Sequence, residues 1–289
     1  MSNFAAMPLV FVPTPLGNLR DVTLRALDTL SAARLIVAED TRVARKLLAG
    51  LGIEPPELWS YREANAQRVT AAIVARAREE LVAVTTDAGM PGISDPGSDL
   101  VAEARRNGVA IDVLPGPSAA LGVALLSGFP LRRFVFEGFP PRTPGARRQR
   151  FSDALRAEAT TIWYESPQRI ARCLADLAAV APDARVFLVR EYTKLHEQQL
   201  AGTAESVAAQ LSQPVRGEVA FAVAPHSARR EEARKPADAG AAIDELLASG
   251  RRVADIARVL AAQGLGERRE LYAAAAARKA AAGKPIKQR

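Results

Sequence analysis

The residues able to do chemistry in this chain lie where short apolar runs give way to small and polar ones. Residues 85–97 read TTDAGMPGISDPG. Small residues let a backbone approach a bound molecule closely, and Asp87 offers a fixed carboxylate beside it. The run follows Leu81-Val82-Ala83-Val84, an apolar tetrad that predicts a buried strand. It ends in Asp95-Pro96-Gly97, which predicts a helix start with Asp95 as N-cap and Pro96 at the first helical position. Strand, turn-rich loop and helix in that order is where α/β folds bind ligands, outside the carboxyl ends of the strands. An ordinary capped connection reads the same way, so this loop alone leaves both readings open.

Three further loops of the same kind favour a ligand cleft. Pro13-Thr14-Pro15-Leu16-Gly17-Asn18 follows the strand Leu9–Val12, Glu39-Asp40-Thr41-Arg42 follows Leu35–Ala38, and Pro115-Gly116-Pro117-Ser118-Ala119 follows Ala110–Leu114. Between them the apolar spacing predicts helices. One carries Leu24, Leu27 and Leu30 and is capped by Asp21; others carry Leu47 and Leu48, span Asn65–Glu80, and span Ser98–Asn107. Trp59 marks a short strand. Strands alternating with helices predict a largely parallel sheet, which would gather the four loops on one edge.

From Phe134 the pattern changes. Strands are expected at Phe134–Phe139, Thr160–Tyr164, Arg185–Arg190, Gln199–Gly202 and Gly217–Val223, with a helix at Gln168–Ala179 and Thr203 capping another. More strands per helix predict a mixed sheet. Pro140–Arg150, PPRTPGARRQR, lacks an apolar pattern and reads as an exposed, mobile basic loop. Residues 225–236 read as a charged linker. Three helices follow, carrying Ile243, Leu246 and Leu247, then Val253, Ile256, Ala257 and Leu260, then Glu267–Lys279 after a glycine turn, an order resembling a helix-turn-helix. The expected division is 1–130, 131–225 and 226–289.

Composition limits what the chain can be. At 289 residues and 48% hydrophobic content it can bury substantial cores. One cysteine, Cys173, permits no internal disulfide, which suits a cytoplasmic protein, and its neighbours Ile170, Leu174 and Leu177 make it a core thiol rather than a nucleophile. With only His196 and His226 beside it, no metal site is expected. No apolar run approaches the ~18–20 residues of a membrane span, and the N-terminus lacks a basic signal-peptide region. The formal charge is +7, and residues 226–289 carry 14 basic against 8 acidic side chains. That bias points to a polyanion contact in the tail; a solvated basic tail is the plainer alternative.

The motifs PTPLGN, EDTR, DAGMPGISDPG and PGPSA, in this order and spacing, resemble the tetrapyrrole methylase superfamily, and more particularly its branch acting on small-subunit ribosomal RNA. FEGFPP (136–141), YESPQR (164–169), REYTK (190–194), RGE (216–218) and the C-terminal helices fit the same branch, so the resemblance spans nearly the whole chain. Two positions depart from the usual pattern: Met90 stands where threonine is common, and Gln168 where histidine often precedes the arginine.

The resemblance implies two α/β domains with an S-adenosylmethionine cleft between them, a homodimer, and 2′-O-methylation of a cytidine ribose in the decoding region of 16S ribosomal RNA. Carried over by motif, Leu16, Gly17, Asp87, Gly89, Met90, Ile93, Ser94, Ser118, Ala119 and Tyr164 would bind the cofactor. No GxGxxG fingerprint is involved. The ribose hydroxyl must lose a proton during transfer, so a general base is expected at the cleft edge. Glu39, Asp40 and Glu191 are the candidates, with Arg42 pairing a carboxylate or holding a phosphate; Asp40 could equally be only a helix cap. RNA phosphates would meet Arg142, Arg147, Arg148 and Arg150, and in the tail Arg251, Arg252, Arg268, Arg269 and Lys279. Two rival readings remain at this stage: a methyltransferase acting on a small tetrapyrrole-like ring, and a non-catalytic RNA-binding protein that keeps the fold.

Overall fold

The computed structural model describes residues 8–211, 214–225 and 239–282. The chain forms two compact units, 1–226 and 227–289.

The first unit contains two five-stranded sheets. In the first, β1 (Leu9–Phe11), β2 (Leu35–Ala38), β3 (Glu57–Ser60), β4 (Val82–Thr85) and β5 (Ile111–Val113) run in the order β3-β2-β4-β1-β5. Every pairing in it is parallel. Its central strands are buried at each position and apolar at all but Thr85, because both faces are covered. Leu9, Phe11, Leu35, Val37, Val82 and Val84 point to a core shared with α3 (Glu63–Arg76) and α4 (Ser98–Arg106). Val10, Ile36 and Ala83 point the other way, to α1 (Leu24–Ala32) and α2 (Thr41–Gly50). This alternation fixes the register, since a one-residue slip would exchange the faces.

The second sheet runs β6-β7-β10-β8-β9, from β6 (Phe134–Gly138), β7 (Thr160–Glu165), β8 (Arg185–Arg190), β9 (Gln198–Thr203) and β10 (Val219–Val223). β6 is parallel to β7 and the other pairings are antiparallel, so the sheet is mixed as expected. One face packs Trp163 and Phe221 against α6 (Pro144–Arg156), α7 (Ile170–Val180) and α8 (Ala204–Gln210), with Cys173 fully buried among them. The other face, through Ile162, Phe187, Val189, Ala220 and Ala222, packs on α5 (Ala119–Leu126). The helix that leaves the first sheet therefore seals the second, so packing places the crossover before α5 rather than after it.

Three local expectations are corrected. Thr23, not Asp21, caps α1, because its hydroxyl accepts the Ala26 N–H at 3.1 Å while Asp21 sits in a short 3-10 turn. α4 begins at Ser98 after Gly97, and Asp95 turns inward to Thr86 instead of capping it. Residues 144–156 are helix α6, not a mobile loop: Pro144 starts it, and Phe151 and Ala154 bury its inner face.

In the second unit, α9 (Ala239–Ala248), α10 (Val253–Ala262) and α11 (Arg268–Ala282) enclose a small core of Ala242, Ile243, Ile256, Ala257, Leu260, Leu271 and Ala275. The expected linker falls almost wholly on residues outside those described. No helix among the described residues is long and apolar enough to cross a membrane.

Candidate active site

Parallel strands put all four loops of the first sheet at its carboxyl edge. There the loops after β1 and β4 are joined by paired backbone hydrogen bonds, Thr14 N–H to Gly89 O at 2.9 Å and Gly89 N–H to Thr14 O at 3.0 Å. Between this edge and the second sheet lies a cavity of about 420 Å³. Leu16, Asp87, Gly89, Met90, Ile93 and Ser94 line it from the β1 and β4 loops, Ser118 and Ala119 from the start of α5, and Tyr164 from β7. Gly17 does not line it; Lys194 lies across Gly17, so close that a Cβ there would fall 2.2 Å from its Cγ. Gly89 has φ +82°, a region side chains rarely adopt, and a Cβ on it would meet Leu16 at 3.0 Å. Ser94 holds φ +67° without being glycine, the kind of strain that collects at functional sites.

Aromatic side chains of the second sheet close the far wall. The Tyr164 hydroxyl accepts the Ala120 N–H at 3.1 Å, satisfying an unpaired donor of α5's first turn. Phe136 and Phe139 stand edge-on to the Tyr164 ring at 4.9 and 5.8 Å. Burial pushes the Tyr164 phenol above its ordinary value. Tyr192, also in the lining, leans on Gly122 of α5, where a Cβ would lie 2.6 Å from the ring.

The proposed acids and bases separate. Glu39 lines the cavity. Asp40 does not: its Oδ1 caps α2 by accepting the Arg42 N–H at 2.9 Å, its carboxylate pairs with the Arg42 guanidinium, and Arg62 stands 3.4 Å away. Those hydrogen bonds from Arg42 hold Asp40 far below the usual carboxylate range, which makes it a poor base at neutral pH. Glu191 is likewise engaged. Its Oε1 takes the Lys194 ammonium at 2.8 Å and the Glu218 N–H at 3.0 Å, outside the cavity lining. Burial would raise Glu191, yet these hydrogen bonds outweigh it and lower its pKa. Of the three sequence candidates, only Glu39 lines the cavity.

The sequence reading missed Thr86 and Asp95. Both line the cavity, and Thr86 Oγ1 lies 2.7 Å from Asp95 Oδ2 and 3.2 Å from Glu39 Oε2. Asp95 was hidden by its cap-like Asp-Pro-Gly context. Burial raises the pKa of Asp87, and the charge of Glu39 adds to it.

The basic residues also divide. Arg147 is buried and bonded to Asp176, with Nε at 2.8 Å, and its remaining donors reach the carbonyls of Pro141 and Arg142. It is a structural residue, not an RNA contact. Arg148 pairs with the same Asp176 at 2.6 Å and Arg150 with Glu137, while Arg142 is exposed. Arg251, Arg252, Arg268, Arg269 and Lys279 are exposed on the second unit. Arg252 precedes α10 as its N-cap, and Arg251 and Lys279 border a shallow pocket with Arg278.

Residues 8–208 match the family model for Tetrapyrrole (Corrin/Porphyrin) Methylases. The chain belongs to this family. Among curated relatives, a Ribosomal RNA small subunit methyltransferase I of Thermotoga maritima is 44% identical over 67% of this chain and 87% of its own length. The protein of that name from Mesorhizobium japonicum is 40% identical over 83% and 81%, and that from Mycobacterium bovis 37% over 91% and 93%. Solved structures agree on the fold: a diphthine synthase superposes with a TM-score of 0.60 at 18% identity over 77% of this chain and 93% of its own, and a cobalt precorrin-4 methyltransferase with 0.57 at 18% over 75% and 94%. The chain belongs to the branch those three relatives define, since it covers more than two thirds of each of them.

Proposed function

We propose that the chain transfers a methyl group from S-adenosylmethionine to the ribose 2′-hydroxyl of a cytidine in the decoding region of 16S ribosomal RNA. One observation of the site carries the cofactor assignment. The cavity is lined by five carboxylate side chains; Arg169 pairs with Glu165 and Lys194 with Glu218, while among the described residues Glu39, Asp87 and Asp95 have no ion-pair partner and no lysine or arginine joins the lining. Such a field suits a cationic ligand and is hostile to a bare phosphate. Its volume is in the ~300–1,000 Å³ range of small-molecule sites, and its glycine, alanine and serine walls let backbone groups reach the ligand. The residues present therefore fit the cofactor.

When bound, S-adenosylmethionine supplies a methyl group already activated on sulfur, so the protein is left with positioning and proton removal. The β1 and β4 loops and Tyr164 form its cradle. Glu39 takes the hydroxyl proton, the one sequence-nominated carboxylate free of a cation and turned into the cavity. Because no lysine or arginine among the described residues lines the cavity, RNA phosphates are held elsewhere, by Arg142 and the exposed arginines of the second unit.

The assembly we infer is a cytoplasmic homodimer working on the small ribosomal subunit. α5 is apolar on all sides, yet Leu121 and Leu125 on one face are 59% and 74% exposed. A helix apolar all round is normally buried, so a second copy covering this face accounts for it. Leu121→Lys with Leu125→Lys would shift the sedimentation coefficient to that of a monomer; an unchanged coefficient rejects this face. The activity is tested with labelled S-adenosylmethionine and small subunits from cells lacking the modification, followed by nucleoside analysis. Label on the 2′-oxygen of one cytidine supports the reading. Cofactor binding without label would favour a small-molecule acceptor, and neither would favour a non-catalytic protein.

A further inference from the structure

Glu39, Thr86 and Asp95 touch in series and open on different spaces. A hydroxyl has one proton to give. The shorter contact, 2.7 Å, directs the Thr86 proton to Asp95, leaving the Thr86 oxygen as an acceptor toward Glu39 Oε2 at 3.2 Å. That second contact becomes a hydrogen bond when Glu39 itself carries a proton. Thr86 lines the cavity, Glu39 lines it and also borders an open pocket beside Arg62 and Glu63, and Asp95 lines both the cavity and a separate polar groove of about 800 Å³ between α3 and α4.

We propose that Glu39, Thr86 and Asp95 form a proton relay that carries the ribose proton from the reaction cavity to the α3–α4 groove. The proposal rests on the methyltransferase reading above. As the 2′-oxygen bonds the methyl carbon and the carbon–sulfur bond breaks, the hydroxyl proton passes to Glu39. Glu39 then gives a proton to the Thr86 oxygen while the Thr86 proton moves to Asp95. Asp95 releases it to water in the groove and the Thr86 hydroxyl turns back from Glu39 to Asp95, so each group returns to its starting state and the sulfur leaves as a neutral thioether.

The surroundings suit that traffic. Burial pushes Asp95 above the usual carboxylate range, the Thr86 hydrogen bond draws it back, and the charge of Asp87 adds to the rise. A carboxylate nearer neutral pH accepts and releases a proton more readily. The other titratable groups facing the relay are Asp87, Asp40 with its Arg42 and Arg62 partners and the neutral Tyr164 phenol, with Glu165 and Glu218 on the cavity side and Glu63, Asp99, Glu103 and Arg106 on the groove side. Arg62 Nε also holds the Glu39 carbonyl at 2.8 Å, which fixes the backbone beneath the first member.

The test measures single-turnover methyl transfer to unmodified small subunits across pH, in water and heavy water, with calorimetric cofactor binding, for the wild type, Thr86→Val, Thr86→Ser and Asp95→Asn. The relay predicts a fall of about 10- to 100-fold for Thr86→Val, a smaller solvent isotope effect, unchanged cofactor affinity, and recovery in Thr86→Ser. Asp95→Asn is expected to lose rate in the same pH-dependent way. A wild-type rate and pH profile in Thr86→Val would overturn the relay, as would an equal loss of rate and cofactor affinity, which is the mark of a loop tether. A wild type that leaves the RNA unlabelled overturns the methyltransferase reading itself, and the relay with it; an active wild type beside an indifferent Thr86→Val overturns the relay alone.

Discussion

Arg147→Ala should unfold the protein's second sheet before it affects RNA. The side chain is 5% exposed and its partner Asp176 is 8% exposed. Nε donates to Asp176 Oδ2 at 2.8 Å, and Nη1 donates to the carbonyls of Pro141 at 3.2 Å and Arg142 at 3.1 Å. Removing the guanidinium leaves a buried carboxylate with only the half-exposed Arg148 to answer it, and takes a donor from the Arg142 carbonyl, while the Pro141 carbonyl keeps Arg169. Breaking a buried pair from one side costs about 3–5 kcal/mol. For a unit of this size each kcal/mol lowers the melting temperature by about 2–4 °C, so a drop of roughly 6–20 °C is expected. The assay is a thermal melt followed by circular dichroism, with the exposed Arg142→Ala as the comparison and RNA affinity measured below the transition of both. Arg147→Ala should lose stability and keep its affinity, while Arg142→Ala should do the reverse. A melting temperature within about 2 °C of the wild type, or weaker RNA binding by a fully folded Arg147→Ala, would refute the burial argument.

Glu39→Gln should slow methyl transfer by about 10²- to 10⁴-fold while weakening cofactor binding far less, because it removes the proton acceptor but only one of the carboxylates around the cavity; parallel loss of both in kinetics and calorimetry counts against it. Asp40→Asn should lower the melting temperature slightly while leaving cofactor affinity intact, since the side chain caps α2 and pairs with arginines outside the cavity. Gly122→Val should weaken cofactor binding by about 1–3 kcal/mol, because its Cβ would drive into the Tyr192 ring 2.6 Å away; unchanged calorimetry would show that Tyr192 yields freely. Acid should also loosen the second sheet. Burial raises Asp176, but the hydrogen bonds from Arg148 and Arg147 overcome it and hold the folded pKa below the ordinary value. Its contribution is therefore complete above a pH of about 4 and is lost as pH falls through the lower folded value. Melts at descending pH should show Asp176→Asn converging on the wild type.

The sequence by itself determined the alternation of strands and helices, the parallel first sheet and the mixed second one. Those follow from local apolar periodicity and from glycine and proline at chain reversals, which act within a few residues. It also located the loops around the cavity, because small residues at the ends of buried strands are legible without knowing their neighbours. Tertiary structure decided the rest. Arg147 and Arg142 look alike in a basic stretch, and only the distant Asp176 turns one into a core residue. Asp95 reads as a helix cap from its Pro-Gly context, and only the fold brings Thr86 to it. Asp40, Glu191 and Glu39 are equivalent carboxylates in sequence. Arg42 and Lys194 neutralise the first two, and Glu39 alone is left facing the cavity, because ion pairing depends on what the chain brings close in space and not on what stands nearby in sequence.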